Sequence, residues 1–254
     1  MRAIINLFAY FNTIINFIDS NAIIFTAQMQ ELLSQITIKV NEDLFIKNPD
    51  SSKLGRRIIT NSIELIEEIG FEAFNFKKLG KRIGSPECTI YRYFENKQKV
   101  LLYLTSWYWS WLEYKMVFAT ANVLDPQVKL SIAIEVLTET VEQDLSFSHI
   151  NEFLLNRIVI SESVKSFFTR EVDSDNEAGV FKVYKRIVQR VSDMILSINQ
   201  NFEYPHMLVS IVIEGSHQQR HFADHLPALT DIIEGKGGIS DFFNKMVFKT
   251  IDVK

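Results

Sequence analysis

The sequence predicts an all-α protein, with a small N-terminal three-helix domain and a larger C-terminal helical domain. Three observations carry that reading. Nine Gly and five Pro in 254 residues are too few to punctuate a turn-rich β fold. Apolar residues recur at i, i+3, i+4 and i+7 over long stretches, the period of a helix buried on one face. Capping residues stand where those stripes begin, and glycines where they stop. With 47% hydrophobic residues, the chain can bury a sizeable core in one large or two modest domains.

Residues 1–25 fit none of this. Ile, Phe and Asn make up 15 of the 25. A membrane helix needs about 20 mostly apolar residues, and here Asn6, Asn12, Thr13, Asn16, Asp19, Ser20 and Asn21 interrupt the run. Arg2 is the only basic residue, and no small-x-small cleavage site follows a clean apolar stretch. Ile, Phe and Asn are what A/T-rich codons specify. The stretch therefore reads as translated upstream DNA, with Met29 the start and residues 1–28 not native. An authentic, loosely ordered extension and a membrane or export segment are the two other readings. Residues 36–50 read as an extended arm. Ile36, Ile38 and Val40 alternate with Thr37 and Lys39, and Asn48-Pro49-Asp50 makes a turn.

Three helices follow. The first begins after the N-cap pair Ser51-Ser52, buries Ile58, Ser62, Leu65, Ile66 and Ile69, and ends at Gly70. Asn75 caps a short second helix. Phe76, Leu79, Gly80 and Ile83 face inward, and Lys77, Lys78, Lys81 and Arg82 lie outward. Gly80 permits close approach of another helix, and Gly84 makes a tight corner. The third helix is predicted over 86–94, with Ser85 as N-cap and Pro86 at its first position. Ile90 and Phe94 point into the core. Glu87, Cys88, Thr89, Tyr91, Arg92 and Tyr93 are left on or near the surface. A basic helix, a Gly turn and a short helix with a polar and aromatic face form a helix-turn-helix.

Charge agrees. Residues 53–99 hold ten basic and six acidic side chains, a net +4 within a chain of net charge −4. A basic segment on an acidic body suggests a local polyanion site. Cys88 is the only cysteine, so no internal disulfide can form, and a reducing cytoplasm fits best. A lone cysteine is also a candidate nucleophile, but no His stands near Cys88 in sequence.

The run Gly70-Phe71-Glu72-Ala73, the Leu79…Ile83-Gly84 spacing and the stretch 89–97 (Thr-Ile-Tyr-Arg-Tyr-Phe-Glu-Asn-Lys) resemble the signature of TetR/AcrR-type transcriptional regulators. The resemblance covers about 50 residues. It implies a homodimeric, sequence-specific DNA-binding regulator, a repressor responding to a small ligand, with no enzymatic activity and no cofactor. Thr89, Tyr91 and Tyr93 would meet the phosphate backbone or the groove rims. Lys97 would sit on a phosphate, helped by the helix N-terminus. Glu87, Cys88 and Arg92 would occupy the reading positions. Arg92 suits guanine O6/N7, Glu87 a cytosine N4, and Cys88 a thymine methyl. With Asn75, Lys77, Ser85 and Pro86, these make up the expected DNA-facing set. Ser85-Pro86 replaces the family's usual small apolar residue and Ser, which should shift the cap by one residue. The arm would either reach along the DNA or pack on the domain. The implied domains are an extension or arm at 1–50, the reader at 51–97, and a sensor and dimerisation part at 98–254.

Beyond Lys97 the chain reads as helices over 96–122, 126–146, 149–159, 161–170, 180–200, 205–224, 226–234 and 239–251. An acidic loop fills 171–179, and Gly235-Lys236-Gly237-Gly238 is a break. Tyr103, Trp107, Trp111, Tyr114 and Phe118 form one aromatic stripe on the fourth helix, either ordinary core or the wall of a ligand pocket. The resemblance places the dimer interface on the helices over 180–200 and 205–224.

Glu214, His217, His221 and His225 share one helix face. Histidines at i, i+4 can hold a divalent metal, so His217, His221 and His225 are metal candidates and the basis of an alternative reading as a helical metal-binding protein or metalloenzyme. A pH-sensitive interface and a structural polar face are the other readings. No Ser/His/Asp order, phosphate loop or C-x-x-C supports other chemistry, and no membrane partner is expected.

Overall fold

The computed structural model describes residues 38–141, 149–162, 164–232 and 238–251. Ile38–Gln143 and His149–Lys254 form one unit. The readings of residues 1–28, of the end of the 126–146 helix and of Gly235–Gly237 lie outside the described residues. Among the described residues all regular structure is helical, as the sequence predicts.

Helix α1 (Lys53–Ala73) starts where Ser52 Oγ accepts from the Gly55 amide at 3.0 Å. Its inner stripe, Gly55, Ile58, Ile59, Ser62, Ile63, Leu65 and Ile66, is buried. Gly70 takes φ 76°, a conformation that favours glycine. It kinks the helix rather than ending it, because the chain makes one further turn before the Phe74 amide bonds back to the Gly70 and Phe71 carbonyls. Helix α2 (Phe76–Ile83) is capped by Asn75, whose side chain accepts from the Lys78 amide at 2.9 Å. It stops at Gly84 in the left-handed region.

Helix α3 is shorter than expected, Glu87–Ile90 rather than 86–94. Pro86 is its N-cap at φ −59°, ψ 146°, and Ser85 does not cap it. The extended ψ of Pro86 keeps it outside the helix, so α3 begins one residue later, at Glu87. The chain continues in tight turns, with the Tyr93 amide bonding three residues back to Ile90 O at 2.8 Å.

Helix α4 (Lys97–Thr120) starts at Asn96, whose side chain accepts from the Lys99 amide. Its 24 residues span about 36 Å, long enough to join reader to body. It is buried nearly all round from Val100 to Trp109. Against it pack α5 (Pro126–Thr138), α6 (Glu152–Glu162) and α9 (Lys182–Ile198), while α10 (Pro205–His225) and α11 (Ile239–Thr250) pack on α5 and on each other; the short helices α7 (Val164–Phe167) and α8 (Val172–Glu177) come between α6 and α9 in the chain. The expected acidic loop at 171–179 thus contains α8, because Glu171–Glu177 satisfies its own amides locally. Of the expected helix over 226–234, the described residues, 226–232, form only a 3₁₀ turn at Pro227–Leu229. Glu113 on α4 pairs with both Arg186 and Arg190 on α9. No helix among the described residues is long and apolar enough to cross a membrane.

Candidate nucleic-acid interface

The α2–α3 corner depends on bare backbone. A Cβ on Gly80 would lie 2.6 Å from Ser85 O and 3.3 Å from the Glu87 amide, so only glycine lets α3 close onto α2. Phe76, Leu79, Ile83 and Ile90 fill the space beneath. This packing leaves Pro86, Glu87, Cys88, Tyr91 and Arg92 exposed, with Ser85 and Thr89 half-buried. Tyr91 leans edge-on against Phe76, ring centroids 4.9 Å apart.

The basic residues divide into committed and free. Arg56 donates to Asp50 O, Arg57 to Ile83 O, and Lys78 to Ala73 O. Arg82 bridges Glu64 and Glu68 at 3.1 and 2.5 Å, and Lys99 lies 3.6 Å from Asp175. Among the described residues, Lys53, Lys77, Lys81 and Arg92 are exposed and enter none of these bonds or ion pairs. Three of the four stand on the α2–α3 surface.

Two expected surface contacts are placed differently. Tyr93 is only 4% exposed, and its hydroxyl hydrogen-bonds Ser52 Oγ at 2.8 Å. The chain turns tightly at Ile90–Tyr93, which carries this ring into the core rather than outward. Lys97 is half-buried and donates to the carbonyls of Phe71 and Glu72, each at 3.1 Å, above the Phe71 ring. It closes the C-terminal end of α1, where cations are favoured. An ammonium has three protons, so one remains for another acceptor. Asn75, also expected on this face, spends its side-chain oxygen on the α2 cap.

The aromatic stripe is mostly core. Tyr103, Trp107 and Trp111 are 1–2% exposed, whereas Tyr114 and Phe118 run out toward solvent and stack on each other. The neighbouring face of α4, Leu102, Thr105, Ser106 and Trp109, lines a narrow crevice of about 10 Å³, room for about one water, closed by Phe167, Val180, Phe181, Val183 and Tyr184. Sequence reasoning missed this face. Its i, i+3, i+4, i+7 spacing was legible, but α4 is apolar all round, so periodicity does not single out one stripe.

The histidines do not converge. His217 is buried and stacked on Trp109, ring centroids 5.8 Å apart. His221 and His225 are exposed and pair with each other at 4.6 Å, where the last turns of α10 leave the core. Glu214 accepts from the Tyr184 hydroxyl at 2.9 Å. Among the described residues, no three His, Cys, Asp or Glu side chains form a metal-holding group.

Residues 58–104 match the family model described as "Bacterial regulatory proteins, tetR family". No curated protein matches the chain. Among solved structures, the superantigen PfiT aligns with a TM-score of 0.54 at 13% identity, covering 82% of this chain and 100% of that one. The fatty acid degradation regulator FadR from Bacillus halodurans aligns at 0.52 and 16% identity, covering 78% of this chain and 94% of that one. AibR, in complex with isovaleryl coenzyme A and operator DNA, aligns at 0.50 and 13% identity, covering 76% of this chain and 97% of that one. At these identities the likeness is one of fold.

Proposed function

We propose that the chain is a TetR-type transcriptional regulator, a homodimeric repressor that reads duplex DNA with α2–α3 and releases it when a small molecule enters the body. The observation that carries this reading is the free cationic surface of Lys77, Lys81 and Arg92 around the short exposed helix α3. Most other cations in the reader are already bound to the protein's own oxygens. These three remain for phosphates and base edges.

In this reading Arg92 pairs with guanine O6/N7, Glu87 accepts from a cytosine N4, and Cys88 lies against a thymine methyl. Lys77, Lys81, Thr89 and Tyr91 meet phosphates on the groove rims, and Lys97 offers its third proton to one. Tyr93 supports the reading helix from within, and Ser85 and Pro86 set where it starts. The reader is assigned to 51–97 and the sensor and dimer part to 98–254, in the cytoplasm. Dimerisation is assigned to α9 and α10, where Tyr204, Met207 and Ile211 leave apolar surface exposed. The ligand site is assigned to the crevice of Leu102, Thr105, Ser106 and Trp109, which would open by movement of Phe167 and Phe181 to admit anything larger than a water. The fold-level neighbours include a regulator seen with both an acyl-coenzyme A and operator DNA. Ligand binding would bias the dimer between arrangements that do and do not match the duplex.

In vitro selection from a random duplex pool tests the reading. The expected product is an inverted repeat whose half-sites lie about 34–36 Å apart, one helical turn. Failure to enrich any sequence would refute it.

A further inference from the structure

Resting on the reading of the chain as a duplex-binding regulator, we propose that the arm at 38–52, which precedes the matched family segment, is a second DNA-contacting element, with Lys47 as its phosphate contact. The arm docks on the reader at several points, one of them immediately before Lys47. The Ile46 amide donates to Tyr93 O at 2.8 Å, and Tyr93 closes the tight turn that follows α3. Lys47 comes next, its ammonium 5.3 Å from the centre of the Tyr93 ring. It is exposed and joins no ion pair among the described residues.

The charges nearby leave Lys47 free. Asp50 is turned toward the body, held by His149 Nε2 at 2.9 Å and by the Tyr103 hydroxyl at 3.2 Å. Glu42 and Asp43 sit in a separate turn, Glu42–Leu44, that packs on α4. A helix in the major groove is flanked on both sides by phosphate strands. Cys88 on α3 and Arg92 just beyond it are exposed. Lys47 stands beside the Tyr93 turn that follows them and adds an exposed positive charge there.

The arm is held in place before DNA arrives. On one side of Lys47, Leu44 is fully buried, the Phe45 ring meets Tyr103, and Asn41 Nδ2 donates to Ala178 O at 2.7 Å. On the other, Asn48 Oδ1 accepts from the Asp50 amide, and Pro49 is pressed against Gly55, where a Cβ would lie 2.1 Å from Pro49 O. Presentation of Lys47 therefore costs little ordering entropy on binding.

The test uses the full chain and a duplex enriched by the wild-type protein from a random pool, with affinity followed across salt concentrations. Each phosphate contact contributes a slope of about −0.9 in log K against log salt, so Lys47→Ala should lose about three- to four-fold less affinity than wild type between ~50 and ~200 mM salt. Lys47→Arg should keep the wild-type slope. So should Lys39→Ala, which removes an exposed arm cation whose backbone alone is bonded. Thermal melting checks that each variant is folded. A Lys47→Ala protein with wild-type slope overturns the arm contact while duplex reading by α2–α3 stands. Equal weakening at every salt concentration also overturns it, since that marks support of Tyr93 rather than phosphate contact. A wild-type chain that enriches no duplex fails at the underlying reading instead.

Discussion

His217 shows how far one residue's surroundings can override its sequence signal. Its spacing to His221 and His225 suggests a polar or metal-binding face. In the fold it is buried against Trp109, and burial pushes its imidazole down to about 4, with the Arg220 charge adding to the effect. An unfolded histidine titrates near 6.5, so below that pH the unfolded chain takes up a proton that the folded chain refuses. Stability is therefore expected to fall as pH drops from about 6.5 toward 4, by about 2 kcal/mol at pH 5 from this one group. Denaturant midpoints at pH 7 and pH 5 measure it. His217→Gln should show a smaller difference between the two, and an unchanged difference would assign the effect elsewhere. Lys97 carries a similar lesson. The pattern around it marks a phosphate ligand, but only the fold reveals that two of its protons already serve the end of α1.

At the scale of elements, the α2–α3 corner is where local chemistry decides geometry. Gly80→Ala would place a methyl 2.6 Å from a backbone oxygen, which cannot swing away as a side chain can. The expected cost is about 1–3 kcal/mol, read as a lowered melting point with weakened duplex binding. Wild-type stability in Gly80→Ala would mean that the corner is looser than described. Much of this corner was legible in the sequence. Asn75, Gly80, Gly84 and the caps at Ser52 and Asn96 act within a few residues, so their types announce their roles. The start of α3 was not legible: the pattern Ser85-Pro86 reads as N-cap and first helical residue, whereas Pro86 itself holds the cap position. What else was not legible depends on contacts distant in sequence. The Tyr93 ring lies inward, where its hydroxyl is hydrogen-bonded to Ser52 Oγ 41 residues away, and the crevice face of α4 is chosen by Phe167 and Val180–Tyr184. The arm reads from its alternation as an extended segment that either reaches along the DNA or packs on the domain, and only the fold shows it tied to Ala178 and Tyr93.

At the scale of the whole molecule, the division of charge matters most. A basic reader on an acidic body confines polyanion binding to one end. The reader is also fastened to that body. Thr60 Oγ1 donates to His149 O at 2.7 Å, and Arg157 pairs with Glu67 at 2.8 Å, so α1 is held to the body around α6. A change in the body can thereby reach α2–α3 through bonded contacts. The central claim is that the free cations around α3 grip a duplex. The most direct test is the salt dependence of binding to the selected duplex by the wild-type chain and by Lys77→Ala/Lys81→Ala/Arg92→Ala. The account predicts a steep fall in wild-type affinity with salt and a triple variant whose slope is shallower by about 2–3. A folded triple variant with wild-type slope and affinity would contradict it.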